Sequence, residues 1–215
     1  MENRYYQDGD SKYYNIEKTR FHGLIREGPN VVLDLGCGSG QLGKRLIELN
    51  KAVEVVGVEI FESAASKASK YYTKVIAGDI EKIHIPYLGY FDYVVCGDIL
   101  EHLLDPWIVL QRVHGWLKPG GTLIASIPNV RYWIVLRDLV LRGTWEYADS
   151  GIMDITHLRF FTRKTFIEAL ERRRFSIELS EFWVNGKKGR VFNLITFGVF
   201  QEFLGSQLMI VAKKN

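Results

Sequence analysis

The stretch VVLDLGCGSG, residues 31–40, decides the fold. It begins as a continuous apolar run with one carboxylate, Asp34, near its end, which is typical of a buried parallel strand. Glycines follow at alternate positions, and a backbone without Cβ atoms can turn tightly and approach a ligand. The next residues, QLGKRLIELN, place leucines along one side of a helix. The stretch therefore predicts a nucleotide-binding unit of strand, glycine turn and helix.

The glycines can be read in two frames. Residues 38–43, GSGQLG, satisfy the dinucleotide pattern G-x-G-x-x-G, and Glu59 follows about 20 residues later, as a ribose carboxylate should. In that fold, however, the first glycine follows the strand directly, and counting from Gly36 puts Gln41 where the third glycine belongs. Asp34 would also repel a pyrophosphate. A ligand with a ribose but no phosphates is favoured, and an NAD-dependent oxidoreductase remains the alternative.

Length and composition are those of one α/β domain. The 215 residues predict a single domain over 1–215, and the net charge of +3 comes with scattered basic residues, so no nucleic-acid partner is expected. Two cysteines do not suggest a disulfide framework, and MENRYYQDGD lacks the apolar core of a signal peptide. No uncharged run approaches the ~20 residues of a membrane span. We expect a cytoplasmic protein, as a monomer or homodimer.

Three later segments follow the first motif in order. Glu59 ends the second predicted strand, GDI at 78–80 follows the third, and LKPGGTL at 117–123 precedes the fifth. Together they resemble class I S-adenosylmethionine-dependent methyltransferases from about residue 30 to 128, nearly half of the chain. The resemblance implies a doubly wound α/β fold, Rossmann-like, with a mostly parallel seven-stranded sheet, an antiparallel edge strand and a lid insertion.

The same resemblance implies S-adenosylmethionine as the cofactor. Glu59 would accept hydrogen bonds from both ribose hydroxyls, and Asp79 would face the adenine amino group with Ile80 on the ring. Further cofactor contacts are expected from the first motif and from the ends of the second and fourth strands: Asp34, Gly36, Cys37, Gly38, Gly40, Ile60, Gly97 and Asp98.

Three segments depart from a minimal domain. Residues 1–27 hold two tyrosine pairs in a polar stretch, and we expect an N-terminal cap that either closes over a ligand or packs onto the domain. Residues 129–162 are rich in aromatic side chains and leave the sheet at the donor edge, which predicts an acceptor lid. Residues 191–204 are the most apolar segment and predict a helix that covers the core, with a membrane or partner contact as the alternative.

Histidines supply the candidate catalytic groups. Methyl transfer from a sulfonium needs alignment and exclusion of water, and an oxygen acceptor of high pKa also needs a base. His157 is the first candidate, with Asp154 placed to orient its ring if the backbone there is helical. His102, beside the expected methyl position, is the second. A purely structural role is the alternative for both.

The segment Asp98 to His102 also allows a metal interpretation. It is similar to the acidic-x-x-Glu-His segment of ubiquinone-pathway O-methyltransferases, to which a divalent-metal role has been assigned. Asp98, Glu101 and His102 could hold such an ion with waters completing the shell. Many relatives carry Glu-His there without a metal, so we predict none and leave the alternative open.

The sequence thus predicts a methyltransferase that acts on a small-molecule acceptor, at an oxygen atom, with residues 129–162 choosing the acceptor. DITHLRFFT at 154–162 resembles a segment of methyltransferases encoded among sugar and cell-surface polysaccharide genes. A sugar precursor and a quinone-like molecule are both open as acceptors. A non-catalytic binding module with this fold is the alternative function.

Overall fold

The predicted first strand is present and lies at the centre of a seven-stranded sheet. The computed structural model describes residues 18–184 and 186–215. The strand order is β3-β2-β1-β4-β5-β7-β6. The strands are β1 Asn30–Leu35, β2 Ala52–Glu59, β3 Lys74–Ala77, β4 Phe91–Gly97, β5 Leu117–Pro128, β6 Phe175–Val184 and β7 Gly205–Lys214.

The direction of the strands places the candidate site at one edge of this sheet. β1 pairs in parallel with both β2 and β4, and Leu35 at its end lies opposite Val58 and Cys96. The chain order therefore reverses beside β1, which is where open α/β sheets bind ligands. β7 runs antiparallel to its neighbours β5 and β6, and β6 forms the outer edge. The predicted fold is confirmed, including the antiparallel strands.

The helices begin and end where local signals place them. Asp105 caps the helix that begins with Pro106 by accepting a hydrogen bond from Ile108 N at 3.0 Å. Thr162 and Thr165 form a reciprocal capping box at the next long helix. The helices are α1 Gln41–Glu48, α2 Glu62–Ala68, α3 Pro106–Trp116, α4 Trp133–Arg137, α5 Arg163–Glu171, α6 Lys187–Ile195 and α7 Gln201–Leu204, with 3-10 turns at Lys18–Gly23 and Leu100–His102 and a π-helical turn at Asp138–Arg142.

The core lies on both faces of the sheet. Side chains alternate along β1, so that Val32 packs on the α1 side while Leu33 and Leu35 pack on the α3 side. Phe21 and Ile25, which precede β1, are buried in the α1-side cluster. Each fully buried side chain of this size contributes roughly 1.5–3 kcal/mol relative to exposure.

The prediction of one core-covering helix over 191–204 is wrong. The region contains the two short helices α6 and α7 joined by a turn, and Leu194 and Phe197 are 78% and 95% exposed. The core faces are already covered by α1, α3 and α5, so this apolar segment has no face left to bury. None of the helices among the described residues has the length and apolarity needed to cross a bilayer. The tyrosine pairs of the expected N-terminal cap lie outside the described residues.

Candidate active site

The glycine turn after β1 presents open backbone at one residue and packs tightly at another. Gly36, Gly38 and Gly40 have φ angles of 66°, 54° and 88°, which other residues rarely adopt. A Cβ added at Gly38 would meet nothing within 4 Å, whereas one at Gly40 would lie 2.8 Å from the Ala68 Cα. Gly38 therefore borders free space in which a ligand can lie. Gly40 is a glycine because α2 packs against it.

Glu59 is held against this turn at the end of β2. Its carboxylate is buried and accepts hydrogen bonds from Gly38 N at 2.8 Å and from Phe61 N at 3.1 Å. Two backbone donors fix the orientation of the carboxylate, and its further lone pairs can accept from two vicinal hydroxyls. This arrangement is compatible with a ribose, and the ribose contact of Glu59 stays a prediction. The neighbouring Ile60 is exposed, so it can lie against a ligand.

Asp34 stabilises the region of the turn through a hydrogen bond with Tyr72. The Tyr72 hydroxyl donates to Asp34 Oδ2 at 2.6 Å and accepts from Gly43 N at 3.1 Å. Burial and the charge of Asp34 raise the pKa of Tyr72 well above its usual value. A Cβ at Gly43 would lie 2.3 Å from the Tyr72 ring, so this glycine makes room for the ring rather than for a pyrophosphate. The sequence offers no signal for Tyr72, and a direct ligand contact of Asp34 stays a prediction.

The Cys37 side chain also lies inside the protein. Its sulfur would be 2.7 Å from a Cβ at Gly57, and its N–H donates to Val58 O at 3.0 Å. These contacts attach the turn to β2. A ligand would meet the Cys37 backbone before its thiol.

Asp79 and Ile80 follow β3 at the same edge. Burial alone would raise the pKa of Asp79, but hydrogen bonds from Lys82 and from the Glu81 N–H outweigh it and lower the pKa. Asp79 is therefore charged at neutral pH and can accept from an amino group. The Ile80 side chain is buried in the α3-side core, with a small exposed fraction left for a ring contact.

Gly97 and Asp98 close the end of β4. A Cβ at Gly97 would lie 2.6 Å from the Phe21 ring, so the glycine admits that ring. Asp98 has a φ of 50°, and its Oδ1 accepts from Ser126 Oγ at 2.8 Å and from Gln207 Nε2 at 2.5 Å. These contacts join the ends of β4, β5 and β7. Ser126 and Gln207 carry no motif by which the sequence could have identified them.

The insertion at 129–162 docks onto the 3-10 turn that follows β4. The Glu101 carbonyl accepts from Leu158 N at 2.8 Å and from Arg159 N at 3.0 Å. Asn129 and Phe161, near the two ends of the insertion, form a parallel bridge. The insertion therefore lies at the carboxyl edge of the sheet, where a lid over the donor site would have to be.

This docking brings the two candidate histidines together. The ring centroids of His102 and His157 are 4.7 Å apart with the rings nearly perpendicular. His157 is buried, and its Nδ1 lies 2.9 Å from the Ile152 carbonyl oxygen. Because a carbonyl only accepts, Nδ1 is the donor, and in the neutral form of the ring the lone pair is therefore on Nε2. His157 is thus set in the tautomer that a general base requires.

Asp154 is connected through Thr156 to His102 rather than to His157. Its Oδ1 accepts from the Thr156 N–H at 2.8 Å and from the Thr156 hydroxyl at 2.6 Å. The Thr156 hydroxyl and carbonyl oxygens lie 3.0 and 3.3 Å from His102 Nδ1, which must donate to them. The expectation that Asp154 orients the ring of His157 is corrected, because the backbone is a turn here and Ile152 orients that ring. Burial and the nearby His157 imidazole lower the pKa of His102 to about 4.

The set of residues that could hold a metal ion differs from the set that the sequence suggested. The potential ligand atoms of Glu101, His102 and His157 all lie within 4.8 Å of one another. Asp98, which the sequence grouped with Glu101 and His102, is engaged with Ser126 and Gln207 instead. One carboxylate and two imidazoles suit a divalent transition metal. His157 comes from the insertion at 129–162, so only the folded chain brings this set together.

Comparisons with known proteins identify the family of this chain. Residues 7–179 match the family model described as a methyltransferase domain. A ubiquinone biosynthesis O-methyltransferase of Xanthomonas campestris is 34% identical over 105 residues, which are 46% of this chain and 43% of the relative. The chain thus matches less than half the length of that curated relative.

Solved structures show the same fold. An S-adenosylmethionine-dependent methyltransferase of Archaeoglobus fulgidus superimposes with a TM-score of 0.68 at 21% identity, covering 95% of this chain and all of that one. The [4+2]-cyclase SpnF superimposes with a TM-score of 0.63 at 17% identity, covering 91% of this chain and 80% of that one. The fold by itself therefore does not fix the reaction.

The site and the family match together define the class: the chain belongs to the methyltransferase domain family, and its fold is that of class I S-adenosylmethionine-dependent methyltransferases. S-adenosylmethionine is the cofactor of this class, and the buried Glu59 and open Gly38 turn fit it. The predicted family and cofactor are confirmed. The nicotinamide alternative loses its support, because Gly43 accommodates Tyr72.

Proposed function

We propose that this protein transfers a methyl group to an oxygen atom of a small-molecule acceptor, with His157 as the general base. The observation that carries the proposal is the hydrogen bond from Nδ1 of the buried His157 to Ile152 O, which leaves the lone pair of the neutral ring on Nε2. S-adenosylmethionine, when bound, supplies an electrophilic methyl group on a sulfonium.

The chain's own residues divide the remaining tasks. Glu59 and the Gly38 backbone hold the nucleoside, and the docked insertion excludes water from the reacting atoms. His157 Nε2 takes the proton of the acceptor hydroxyl as its oxygen is methylated. His102 is neutral at working pH because its pKa is about 4, so it does not repel the imidazolium that forms on His157.

A phenolic, quinone-like acceptor is the class we favour. Its hydroxyl has a pKa of about 10, which is closer to that of histidine than the pKa of a sugar hydroxyl. The lid provides aromatic surface, since Trp145 and Tyr147 lie 5.3 and 6.4 Å from the Phe160 ring. The Xanthomonas relative is named for oxygen methylation in ubiquinone biosynthesis. A sugar hydroxyl is the second acceptor class, supported by the DITHLRFFT segment.

A metal-assisted reaction is the second candidate mechanism, because Glu101, His102 and His157 converge. In that case the ion would lower the pKa of the acceptor hydroxyl, and the imidazoles would be ligands rather than bases.

Both cysteines are buried and free, as a reducing compartment allows. The cytoplasmic setting and the monomeric or homodimeric state stay predictions.

Donor binding is tested by calorimetry with S-adenosylhomocysteine. Glu59→Gln should weaken binding by tenfold or more, because the amide keeps the shape but loses the charge that strengthens hydrogen bonds from hydroxyls. Glu62→Gln, at an exposed carboxylate on α2, is the matched control and should bind like the unmodified protein. Absence of binding to the folded, unmodified protein would overturn the proposal.

The base is tested by turnover of a panel of phenols and sugars in the presence of a chelator. His157→Gln should lower kcat by about 100-fold or more while leaving donor affinity unchanged. His84→Gln, at an exposed histidine, serves as the control. Activity that disappears with the chelator and returns with a divalent metal would replace the base by the metal mechanism. Donor binding without turnover of any acceptor would favour the binding module.

A further inference from the structure

We propose that residues 186–204, hereafter the β6–β7 segment, form a docking surface for an anionic lipid bilayer. The segment comprises α6, α7 and the turn between them. The proposal goes beyond the proposed function and does not depend on which acceptor is methylated.

The β6–β7 segment exposes large apolar side chains next to one another. Leu194, Ile195 and Phe197 follow each other within four positions and are all more than two-thirds exposed, and Val199 is exposed as well. Scattered apolar residues are normal at a protein surface, but a contiguous group marks an interaction site. Phe197 is 95% exposed, so its ring projects from the surface rather than lining a groove.

The backbone at Phe197 adds a second observation. Phe197 has a φ of 51° at the second position after α6, where glycine or asparagine is usual. Hydrogen bonds from Phe197 N to Leu194 O at 3.1 Å and from Gly198 N to Asn193 O at 2.8 Å hold this turn. A residue in this strained conformation thus carries a large aromatic ring that is exposed to water. The cost of exposing the ring is removed if the ring enters an apolar phase.

The charge of the segment selects an anionic surface. Its sequence carries Lys187, Lys188 and Arg190 and only one acidic residue, Glu202. The Glu202 carboxylate is already paired with Arg131 and Arg163, at 2.5 and 3.8 Å. Cationic residues beside an exposed apolar group are the composition of segments that lie in the interface of anionic membranes.

The β6–β7 segment lies next to the edge of the sheet that carries the candidate active site. Asn129, at the start of the insertion, donates from Nδ2 to the Glu202 and Gly205 carbonyls at 2.7 and 2.8 Å. Pro128 at the end of β5 pairs with Gln207 at the start of β7. The β6–β7 segment thus flanks the root of the insertion at the carboxyl edge of the sheet. Docking there would turn the acceptor side of the site toward the bilayer.

A bilayer fits these observations better than a protein partner. A projecting ring inserts readily into a deformable apolar phase, whereas a protein would need a matching pocket. A second copy of this chain would bring its own cationic segment against the first, which like charges oppose.

Vesicle flotation of the full chain tests the proposal. Vesicles of phosphatidylglycerol and phosphatidylcholine in equal parts should bind at least tenfold more protein than phosphatidylcholine alone, and added salt should reduce the binding. Phe197→Ser should weaken binding roughly tenfold or more, and Arg190→Glu should also weaken it. The matched control is Leu88→Ser, because Leu88 is 85% exposed on the loop before β4, and its binding should be unchanged.

Each variant is first shown to melt and to bind S-adenosylhomocysteine like the unmodified protein, so that misfolding is not counted as loss of docking. Equal binding to neutral vesicles, no binding to anionic vesicles, or full binding by Phe197→Ser overturns the proposal. Self-association in sedimentation that Phe197→Ser abolishes would show that a second copy covers the segment, and would overturn it as well.

Discussion

Replacing Tyr72 by phenylalanine is the sharpest test of how the donor turn is held. The substitution removes one oxygen atom and keeps the ring that packs against Gly43 and Gly57. That oxygen donates to Asp34 at 2.6 Å and accepts from Gly43 N at 3.1 Å. Gly43 lies in the first turn of α1, whose N-cap, Gly40, has no side chain to offer. The Tyr72 hydroxyl therefore caps this helix, although it comes from a distant part of the sequence.

The expected loss of stability is about 3 kcal/mol. A hydrogen bond to a charged acceptor contributes roughly 1.5–3 kcal/mol, and a lost helix cap costs about 1 kcal/mol. In a protein of about 200 residues each kcal/mol lowers Tm by roughly 2–4 °C, so Tyr72→Phe should melt about 6–12 °C lower. Because the turn that carries Gly38 and contacts Glu59 loses a support, donor affinity should fall as well.

Urea unfolding and thermal melts measure the change, with Tyr71→Phe as the matched control. Tyr71 is the neighbouring tyrosine, is exposed, and has a lysine over its ring rather than a buried partner. Its substitution should stay within about 0.5 kcal/mol of the unmodified protein. If Tyr72→Phe is no less stable than Tyr71→Phe, the hydroxyl does not support the turn and the reasoning fails.

Two further predictions concern His102 and the glycine turn. Because the pKa of His102 is lowered to about 4 in the folded protein, the unfolded chain binds this proton more readily, so folding stability falls as pH drops below about 6.5. Urea unfolding in metal-free buffer should show about 2 kcal/mol lost between pH 7 and pH 5 that His102→Gln does not lose, and equal losses in both would refute it. Gly40→Ala should cost about 3 kcal/mol in thermal melts because its Cβ would meet backbone 2.8 Å away. Gly38→Ala should cost only about 1–2 kcal/mol in the same melts but weaken S-adenosylhomocysteine binding in calorimetry, and the reverse order of stability would contradict this reading.

Local sequence signals were sufficient to predict the unit of strand, glycine turn and helix, and they also set the start of several helices. The apolar run of β1, the glycines after it and the leucines of α1 act over a few residues, and their physics does not depend on the rest of the chain. Pro106 and the Thr162 cap begin helices through the same kind of short-range signal. The position of Glu59 followed because parallel strands bring their carboxyl ends to one edge.

Tertiary structure decided which side chains meet. Tyr72 reaches Asp34 across 38 positions of sequence, and His102 lies against His157 only because the insertion docks on Glu101. A sequence shows which side chains are present but not which segments pack against one another. The partners predicted for Asp98 and Asp154 from the sequence were therefore wrong.

The β6–β7 segment shows the same limit for burial. Its composition established that it is apolar, and apolar residues are usually buried. Whether a segment can be buried depends on the sheet having an uncovered face, and α1, α3 and α5 had already covered both. The sequence by itself determined the donor unit and the class of fold. Only the packed chain decided the partners of the histidines and left Phe197 at the surface, because both depend on space that distant residues occupy.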